Sequence, residues 1–308
     1  MSINEQISRI QSAKQNIKQA LIDKGVAVGD ERLDEYGALV EGISSGGNTL
    51  KTLLDNTKLC QGLFMYYKGN NLSDLIKYND TENVTDFSYM YNSCSKATSF
   101  PELNTSNGTE FSYMYCECSS ATSLPQLNTS KGTNFAHMYD TCSSVTSFPQ
   151  VDTSKANNFS SMYESCSSAT SLPQLNTSKG TNFNSMFYGC YEVKKIDISS
   201  FNISSTSYTL KWCYECYSLK AVVIRSFGTK YTLNSNSFYA CYHILGTTDA
   251  TYNPNGDKDG YIYVPRNMIE TLSSATNWST YATQFRALED YTKDGTTTGE
   301  FDDEKAGL

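Results

Sequence analysis

The residues best able to do chemistry in this chain are its histidines and cysteines, and there are only two histidines among 308 residues. A Ser–His–Asp or Cys–His site needs a histidine held beside the nucleophile. His137 and His243 both replace ordinary residues of a repeated sequence, so neither singles out such a site. The chain also has no Walker or GxGxxG loop and no carboxylate pair in a hydrolase-like context. We therefore expect no enzymatic activity and no cofactor.

The ten cysteines raise the question of metal sites and disulfides. Cys116-x-Cys118 and Cys213-x-x-Cys216 are single pairs with no second pair nearby, whereas a zinc site needs four suitably spaced ligands. Half of the cysteines recur every 24 residues at an apolar position, which favours buried free thiols. Disulfides between successive members of this series are the less favoured alternative, since their Cα atoms should lie too far apart. We predict free thiols and no metal site. The series is Cys94, Cys118, Cys142, Cys166 and Cys190.

These cysteines belong to a 24-residue repeat in the middle of the chain. A fixed period of this size is typical of solenoids, in which each unit buries its faces against its neighbours. With the repeat's phenylalanine as position 0, apolar residues occupy 0, +3, +4 and +7, which would share one face of a helix. We therefore predict a helix of about two turns at the start of each repeat. The phenylalanines are Phe87, Phe111, Phe135, Phe159 and Phe183.

A second apolar cluster at +10, +13 and +16 predicts a short strand in each repeat. Four repeats have a proline at +14, and proline cannot donate to a sheet ladder. We therefore expect the parallel sheet to be interrupted in these repeats. The prolines are Pro101, Pro125, Pro149 and Pro173.

The later repeats carry the sequence Met-Phe-Tyr-Gly-Cys at 186–190 and Ile-Asp-Ile-Ser-Ser-Phe-Asn at 196–202. This pattern resembles the BspA-like class of leucine-rich repeat proteins. The resemblance implies an α/β repeat solenoid over residues 60–254, with 24-residue coils that each contain a short helix and a short strand. It also implies adhesion, since that class is associated with bacterial, phage and protist surface proteins.

Residues 1–43 differ in kind from the repeats, because their apolar residues fall on the alternating steps of a coiled-coil seam. They predict a helical hairpin that is either self-contained or an oligomerisation and docking element, with a trimer favoured. The stretch from Ile10 to Tyr36 is similar to N-terminal segments of gut bacteriophage structural proteins, which implies docking onto other virion proteins. The seam residues are Ile3, Ile7, Ile10, Ile17 and Leu21.

The remaining segments complete the predicted domain organisation. By composition, residues 44–59 are a flexible linker. Residues 255–290 combine a strand and helices into a C-terminal cap of the kind a solenoid needs. Residues 291–308 are acidic and rich in Gly and Thr, and we expect a mobile tail.

Charge and hydropathy limit the partners. The net charge is −8 at pH 7, and without a basic stripe we expect no nucleic-acid partner. No run of 18 apolar residues exists, so we expect no membrane insertion. The first residues lack the basic and apolar regions of a signal peptide. We therefore expect a virion component made in the host cytoplasm, with the bacterial cell surface as the alternative location.

Two sets of side chains are candidates for ligand binding. One is a polar row beside the strand positions, formed by Glu102, Gln126, Gln150 and Gln174. The other is aromatic and includes Tyr89 and Tyr113 at position +2, since an exposed tyrosine gives contact area at low entropic cost. We expect a bacteriophage tail fibre, head fibre or adhesion protein that presents its repeats to host-surface glycan or protein. The alternatives are a virion decoration protein without a receptor and a BspA-type bacterial adhesin.

Overall fold

The computed structural model describes residues 60–70, 72, 76–200, 211–228 and 233–308. The predicted hairpin at 1–43, with its seam residues, and the predicted linker at 44–59 lie outside the described residues.

Each repeat begins with a chain of tight turns rather than the predicted helix. In the third repeat, the N–H of Met138 donates to the carbonyl of Phe135 at 3.1 Å, which is a turn bond between residues three apart. The N–H of Tyr139 instead donates to the carbonyl of Met162 in the next repeat at 3.0 Å. The same alternation recurs along the array. The helix prediction was wrong because alternate N–H groups bond to the neighbouring repeat, so they cannot bond within a helix.

Left-handed backbone conformations accompany this alternation. Positions +2 and +6 have positive φ, as in His137 (56°) and Thr141 (58°). A left-handed residue interrupts a right-handed helix and costs roughly 1–2 kcal/mol when it carries a Cβ atom. Gly189, at +6 of the last full repeat, is the one glycine at these two positions from Phe87 to Cys190. Because the other residues at these positions are not glycine, the sequence does not predict the left-handed conformation.

Regular strands occur after the proline-containing repeats. Four parallel strands form one sheet in the order β1-β2-β3-β4, with Ile196 opposite Val222 and Ile262 opposite Phe285. Within the described residues, the proline repeats contribute isolated bridges such as Ser147 with Ser171 instead of strands. The predicted interruption of the sheet is confirmed. The strands are β1 Lys195–Ile198, β2 Ala221–Ile224, β3 Tyr261–Val264 and β4 Phe285–Ala287.

The described helices are short. Gly246 and Gly307 end two of them in left-handed conformations, as is common at helix C-termini. The α-helices are α1 Tyr242–Leu245, α2 Ile269–Ser274 and α3 Asp303–Ala306, and the 3₁₀ turns are Tyr78–Thr81, Arg266–Met268, Ser279–Gln284 and Leu288–Tyr291.

Stacked rings run through the core from repeat to repeat. Phe87 and Phe111 stack with centroids 5.6 Å apart, and Tyr91 and Tyr115 do so at 5.4 Å. The residues at 0, +3, +4 and +7 of all five repeats from Phe87 to Cys190 are buried. The apolar spacing therefore identified the core correctly, although the backbone that carries it is not helical.

The C-terminal region packs against this core. The spacing of Trp278, Tyr281, Phe285 and Leu288 predicts one face of a helix. All four are buried, but Trp278 lies on a turn, Tyr281 and Leu288 on 3₁₀ turns and Phe285 on β4. Where we expected a mobile tail at 291–308, the structure has the chain folded back with Phe301 buried. The tail packs because its backbone bonds to the preceding segment, for example through Asp302 N–H to the carbonyl of Tyr291 at 2.8 Å.

Candidate binding surfaces

Side chains at +2, +5 and +8 form columns on the turns, which we call the turn face. At +2, Tyr89 and Tyr113 stack with ring centroids 4.5 Å apart, and His137 continues the stack at 4.3 Å. These rings line a groove of about 230 Å³ together with polar residues of positions −1 and +1. Burial raises the pKa of Tyr113 to about 12. Its hydroxyl therefore keeps its proton to a higher pH than that of an exposed tyrosine.

The later repeats carry a larger group of tyrosines on the turn face. Tyr188 and Tyr214 stack at +5 with centroids 5.3 Å apart, and Tyr191 and Tyr217 stack beside them at +8 at 4.7 Å. The Nζ atom of Lys211 lies 5.0 Å from the ring centre of Tyr214. We call this group the tyrosine patch; its members are Tyr188, Tyr191, Tyr214, Tyr217, Tyr239, Tyr242 and Tyr252.

The polar row is a second surface, and its amides bond across repeats. The Nε2 atom of Gln126 donates to the carbonyl of Gln150 at 2.5 Å, and that of Gln150 donates to the carbonyl of Gln174 at 2.8 Å. Glu102 is exposed, as are these three glutamines. The structure therefore brings the glutamines together in a ladder that links the repeats. Gln150 and Gln174 line a pocket of about 370 Å³ that shares no lining residue with the tyrosine groove.

His137, Asp140 and Glu164 form a cluster on the turn face that the sequence analysis missed. The Nδ1 atom of His137 lies 2.8 Å from Oδ2 of Asp140, and Thr141 Oγ1 donates to Oδ1 of Asp140 at 2.8 Å. One potential metal-ligating atom from each of the three residues lies within 4.8 Å of the other two. Burial raises the pKa of Glu164, and the nearby charge of Asp140 raises it further. The 24-residue spacing from Asp140 to Glu164 was the available signal.

The other histidine has a different electrostatic environment. His243 Nδ1 lies 2.6 Å from Oδ1 of Asp259, and Lys220 Nζ contacts the other carboxylate oxygen at 2.7 Å. Burial acts to raise the pKa of Asp259, but the hydrogen bonds from Lys220 and His243 outweigh it and lower the pKa. The carboxylate of this site already has its counter-ion.

All ten cysteines lie in the described residues, and all are buried and free. This confirms the prediction of buried thiols. In the series from Cys94 to Cys190 each thiol donates to a backbone carbonyl of the preceding repeat, as with Cys118 Sγ and the carbonyl of Tyr91 at 3.2 Å. Burial raises the pKa of the Cys94 thiol to about 12.

Comparison with protein families shows where the chain belongs. The family described as "Mycoplasma protein of unknown function, DUF285" matches residues 58–171 and 147–244, which together make up more than half of the chain. The chain belongs to this family, which is related to the BspA-like surface repeat proteins. Comparisons with curated proteins and with solved structures gave no match. Among the described residues, every helix is too short or too polar to cross a bilayer.

Proposed function

We propose that this chain is a non-catalytic binding protein, a bacteriophage fibre or adhesion subunit whose repeats contact host-surface glycan or protein. The proposal rests on the tyrosine patch. At position +8 the four earlier repeats carry serine, as in Ser143 and Ser167, and the later ones carry Tyr191, Tyr217 and Tyr242. The repeat therefore does not need tyrosine there in order to fold. A set of aromatic side chains that the fold does not require is best explained by a ligand.

For the repeats themselves we propose a leucine-rich-repeat-like solenoid. Two observations support it. Backbone N–H groups bond from one repeat to the next along the array, and the buried residues from Cys60 to Phe285 form one continuous core. Such an arrangement presents a long surface, which suits recognition of an extended ligand.

The chemistry of the patch suits a sugar or a protein surface. Tyrosine rings offer apolar faces to the C–H side of a sugar ring or to an apolar side chain, and their hydroxyls supply hydrogen bonds at the edge. Tyr239 is 54% exposed, so contact area is available without rearrangement of the backbone. Lys211, held over two of the rings, adds a cationic partner for an acidic group.

Binding to intact gut bacteria and to a glycan array tests this proposal. The double variant Tyr191→Ser/Tyr217→Ser introduces the residue found at +8 in the earlier repeats, so it should fold. We expect it to weaken binding at least tenfold. The matched control is Gln126→Ala/Gln150→Ala on the polar row, which should leave binding unchanged.

Two outcomes would count against the proposal. Equal binding by the tyrosine variant would exclude the patch as the contact surface. A full-length chain that binds no cell and no glycan, but does bind virion proteins, would favour the decoration protein instead.

A further inference from the structure

We propose that His137, Asp140 and Glu164 form a binding site for a divalent transition-metal ion of the zinc type. The site lies on the turn face, where His137 continues the aromatic stack at +2 and where Asp140 and Glu164 occupy position +5 in the repeats before Tyr188. It is independent of the proposed ligand, since the three residues are outside the patch.

The ligand atoms are close enough to converge on one ion after small side-chain shifts. In a tetrahedral site, metal–ligand bonds of about 2.0–2.2 Å to imidazole nitrogen and carboxylate oxygen place neighbouring ligand atoms roughly 3.3–3.6 Å apart. Nδ1 of His137 and Oδ2 of Asp140 are 2.8 Å apart, and Glu164 offers an oxygen within 4.8 Å of both. A small rotation of the Glu164 side chain, with a slight lengthening of the contact between His137 and Asp140, would complete a three-ligand set. Unlike a closed structural zinc site with four protein ligands, such a set leaves a position for water or for an oxygen of a ligand.

The charge balance also favours a cation. At His243 the carboxylate of Asp259 pairs with Lys220, so the local charge is already balanced. The site at His137 instead has two carboxylates, those of Asp140 and Glu164, and within the described part of the chain no lysine forms an ion pair with either. The charges of His137 and Lys211 both act on Glu164, but among the described residues Lys211 forms no ion pair with it and lies over the rings of Tyr188 and Tyr214. A divalent ion would neutralise the two carboxylates together.

The repeats provide an internal comparison. In the five repeats that begin at Phe87 to Phe183, position +2 is histidine once, and position +5 is acidic only in the third and fourth repeats. The three changes fall on side chains that meet in space. An ordinary turn-stabilising contact between His137 and Asp140 would explain two of them. It would not explain why Glu164 brings a further negative charge to the same place.

The donor set indicates the kind of ion. One imidazole and two carboxylates suit zinc, manganese, cobalt or nickel, whereas magnesium and calcium prefer sites made of oxygen alone. We therefore expect zinc to bind more tightly than magnesium or calcium.

Calorimetric titration of the full chain with zinc chloride, after removal of metal by a chelator, tests the proposal. We expect one zinc ion per chain and an increase in melting temperature on binding. His137→Tyr and Glu164→Gln should each weaken binding at least tenfold. His137→Tyr restores the residue of the two preceding repeats and keeps the ring stack, so the variant should fold; circular dichroism checks this. His243→Gln is the matched control and should bind zinc as the unaltered chain does.

Cobalt provides a second measurement with a different readout. Coordination by nitrogen and oxygen gives weak visible bands, whereas a thiolate ligand such as Cys116 would add an intense charge-transfer band. We expect the weak bands alone. The proposal is overturned if the full chain takes up no zinc with saturation, if His137→Tyr and Glu164→Gln bind as well as the unaltered chain, or if the charge-transfer band appears.

Discussion

One guanidinium connects two strands with the C-terminal segment. Arg225 on the end of β2 is 8% exposed and donates to both carboxylate oxygens of Asp197 in β1, from Nε at 3.0 Å and from Nη2 at 2.7 Å. Its Nη1 atom donates to the carbonyls of Thr297 and Gly299. Replacing Arg225 by Met would leave the largely buried carboxylate of Asp197, whose side chain is 12% exposed, without its ion-pair partner, which costs up to about 3–5 kcal/mol. Urea denaturation at pH 7 would measure this loss.

An exposed arginine and a change of pH provide the controls. Arg266 and Asp290 are 60% and 57% exposed, so Arg266→Met should cost less than about 1 kcal/mol. Burial raises the pKa of Asp197 above its unfolded value, although Arg225 opposes this. Without Arg225 the folded-state pKa rises further, and folding then favours the protonated form. The loss in Arg225→Met should therefore shrink as the pH falls towards about 4. A loss that is independent of pH would contradict this account.

Gly189 tests the left-handed turn positions. Its φ is 70°, and a Cβ atom there would approach Ser165 no closer than 3.5 Å, which is an ordinary contact. Any cost of Gly189→Ala must then come from the backbone conformation, and we expect a loss of roughly 1–2 kcal/mol in unfolding free energy. Ser165 occupies the same position one repeat earlier, with φ of 56°. Ser165→Ala adds no such strain and should change stability by less than about 0.5 kcal/mol.

The column of core tyrosines affects the unfolding free energy of all the repeats through which it runs. The hydroxyls of Tyr91, Tyr115, Tyr139 and Tyr163 are buried without a hydrogen-bond partner, and the next repeat has Phe187 at this position. An unpaired buried hydroxyl costs about 1–3 kcal/mol. Tyr115→Phe should therefore raise the unfolding free energy by roughly 1 kcal/mol. Chemical denaturation checks the change.

The reverse substitution is the matched control for this column. Phe187→Tyr places a hydroxyl in the same kind of site and should lower stability by a similar amount. If Tyr115→Phe were destabilising instead, its hydroxyl would have a hydrogen-bonding partner, and the polar column would contribute to the fold.

At the same scale, the sequence predicts burial better than backbone. Spacing at 0, +3, +4 and +7 identified the buried side chains because a chain of turns with bonds three residues apart exposes and buries nearly the same positions as a helix. Whether the backbone forms turns or a helix depends on hydrogen bonds such as that from Tyr139 N–H to the carbonyl of Met162, which join residues 23 apart. Local helix propensity does not predict bonds between residues so far apart. Pro149 was easier to interpret, since the lack of an N–H is a local property.

The candidate binding surfaces show the same difference between what local sequence and what contacts between repeats determine. Tyr89 and Tyr113 were identified because they fall outside the core spacing. The cluster of His137, Asp140 and Glu164 was missed because its members meet only when the pitch from one repeat to the next is known. The glutamine ladder was correctly placed on the surface, but its role in linking repeats depends on carbonyls of the following repeat.

On the scale of the whole molecule, thiol reactivity should report global unfolding. All ten cysteines are buried, and burial raises the pKa of Cys94 to about 12. An exposed thiol with a pKa near 8.5 ionises largely by pH 9, whereas a thiol of pKa 12 is then about one part in a thousand thiolate. Cys216 differs, because the effect of burial is outweighed by hydrogen bonds from Cys213 and Cys241, which lower its pKa to about 5, so burial alone limits its reaction. We expect labelling by a thiol reagent to stay slow from pH 7 to pH 9 and to become complete in denaturant. Rapid labelling of a native thiol at pH 9 would place that cysteine at a mobile edge.

The number of chains in the assembly determines how many sets of repeats a fibre would present. The coiled-coil spacing of Ile3, Ile7, Ile10, Ile17 and Leu21 predicts that the full chain is a trimer through its first residues. Ile10→Asp/Ile17→Asp would place charges in this seam and should convert the trimer to a monomer, as measured by light scattering. Ser12→Asp, which lies outside the seam, is the control and should leave the mass unchanged. A trimer would present three tyrosine patches together, and this avidity would compensate for weak binding to each one. If the unaltered chain is a monomer, residues 1–43 either dock onto another protein or form a self-contained hairpin, and each chain must bind its ligand through a single patch.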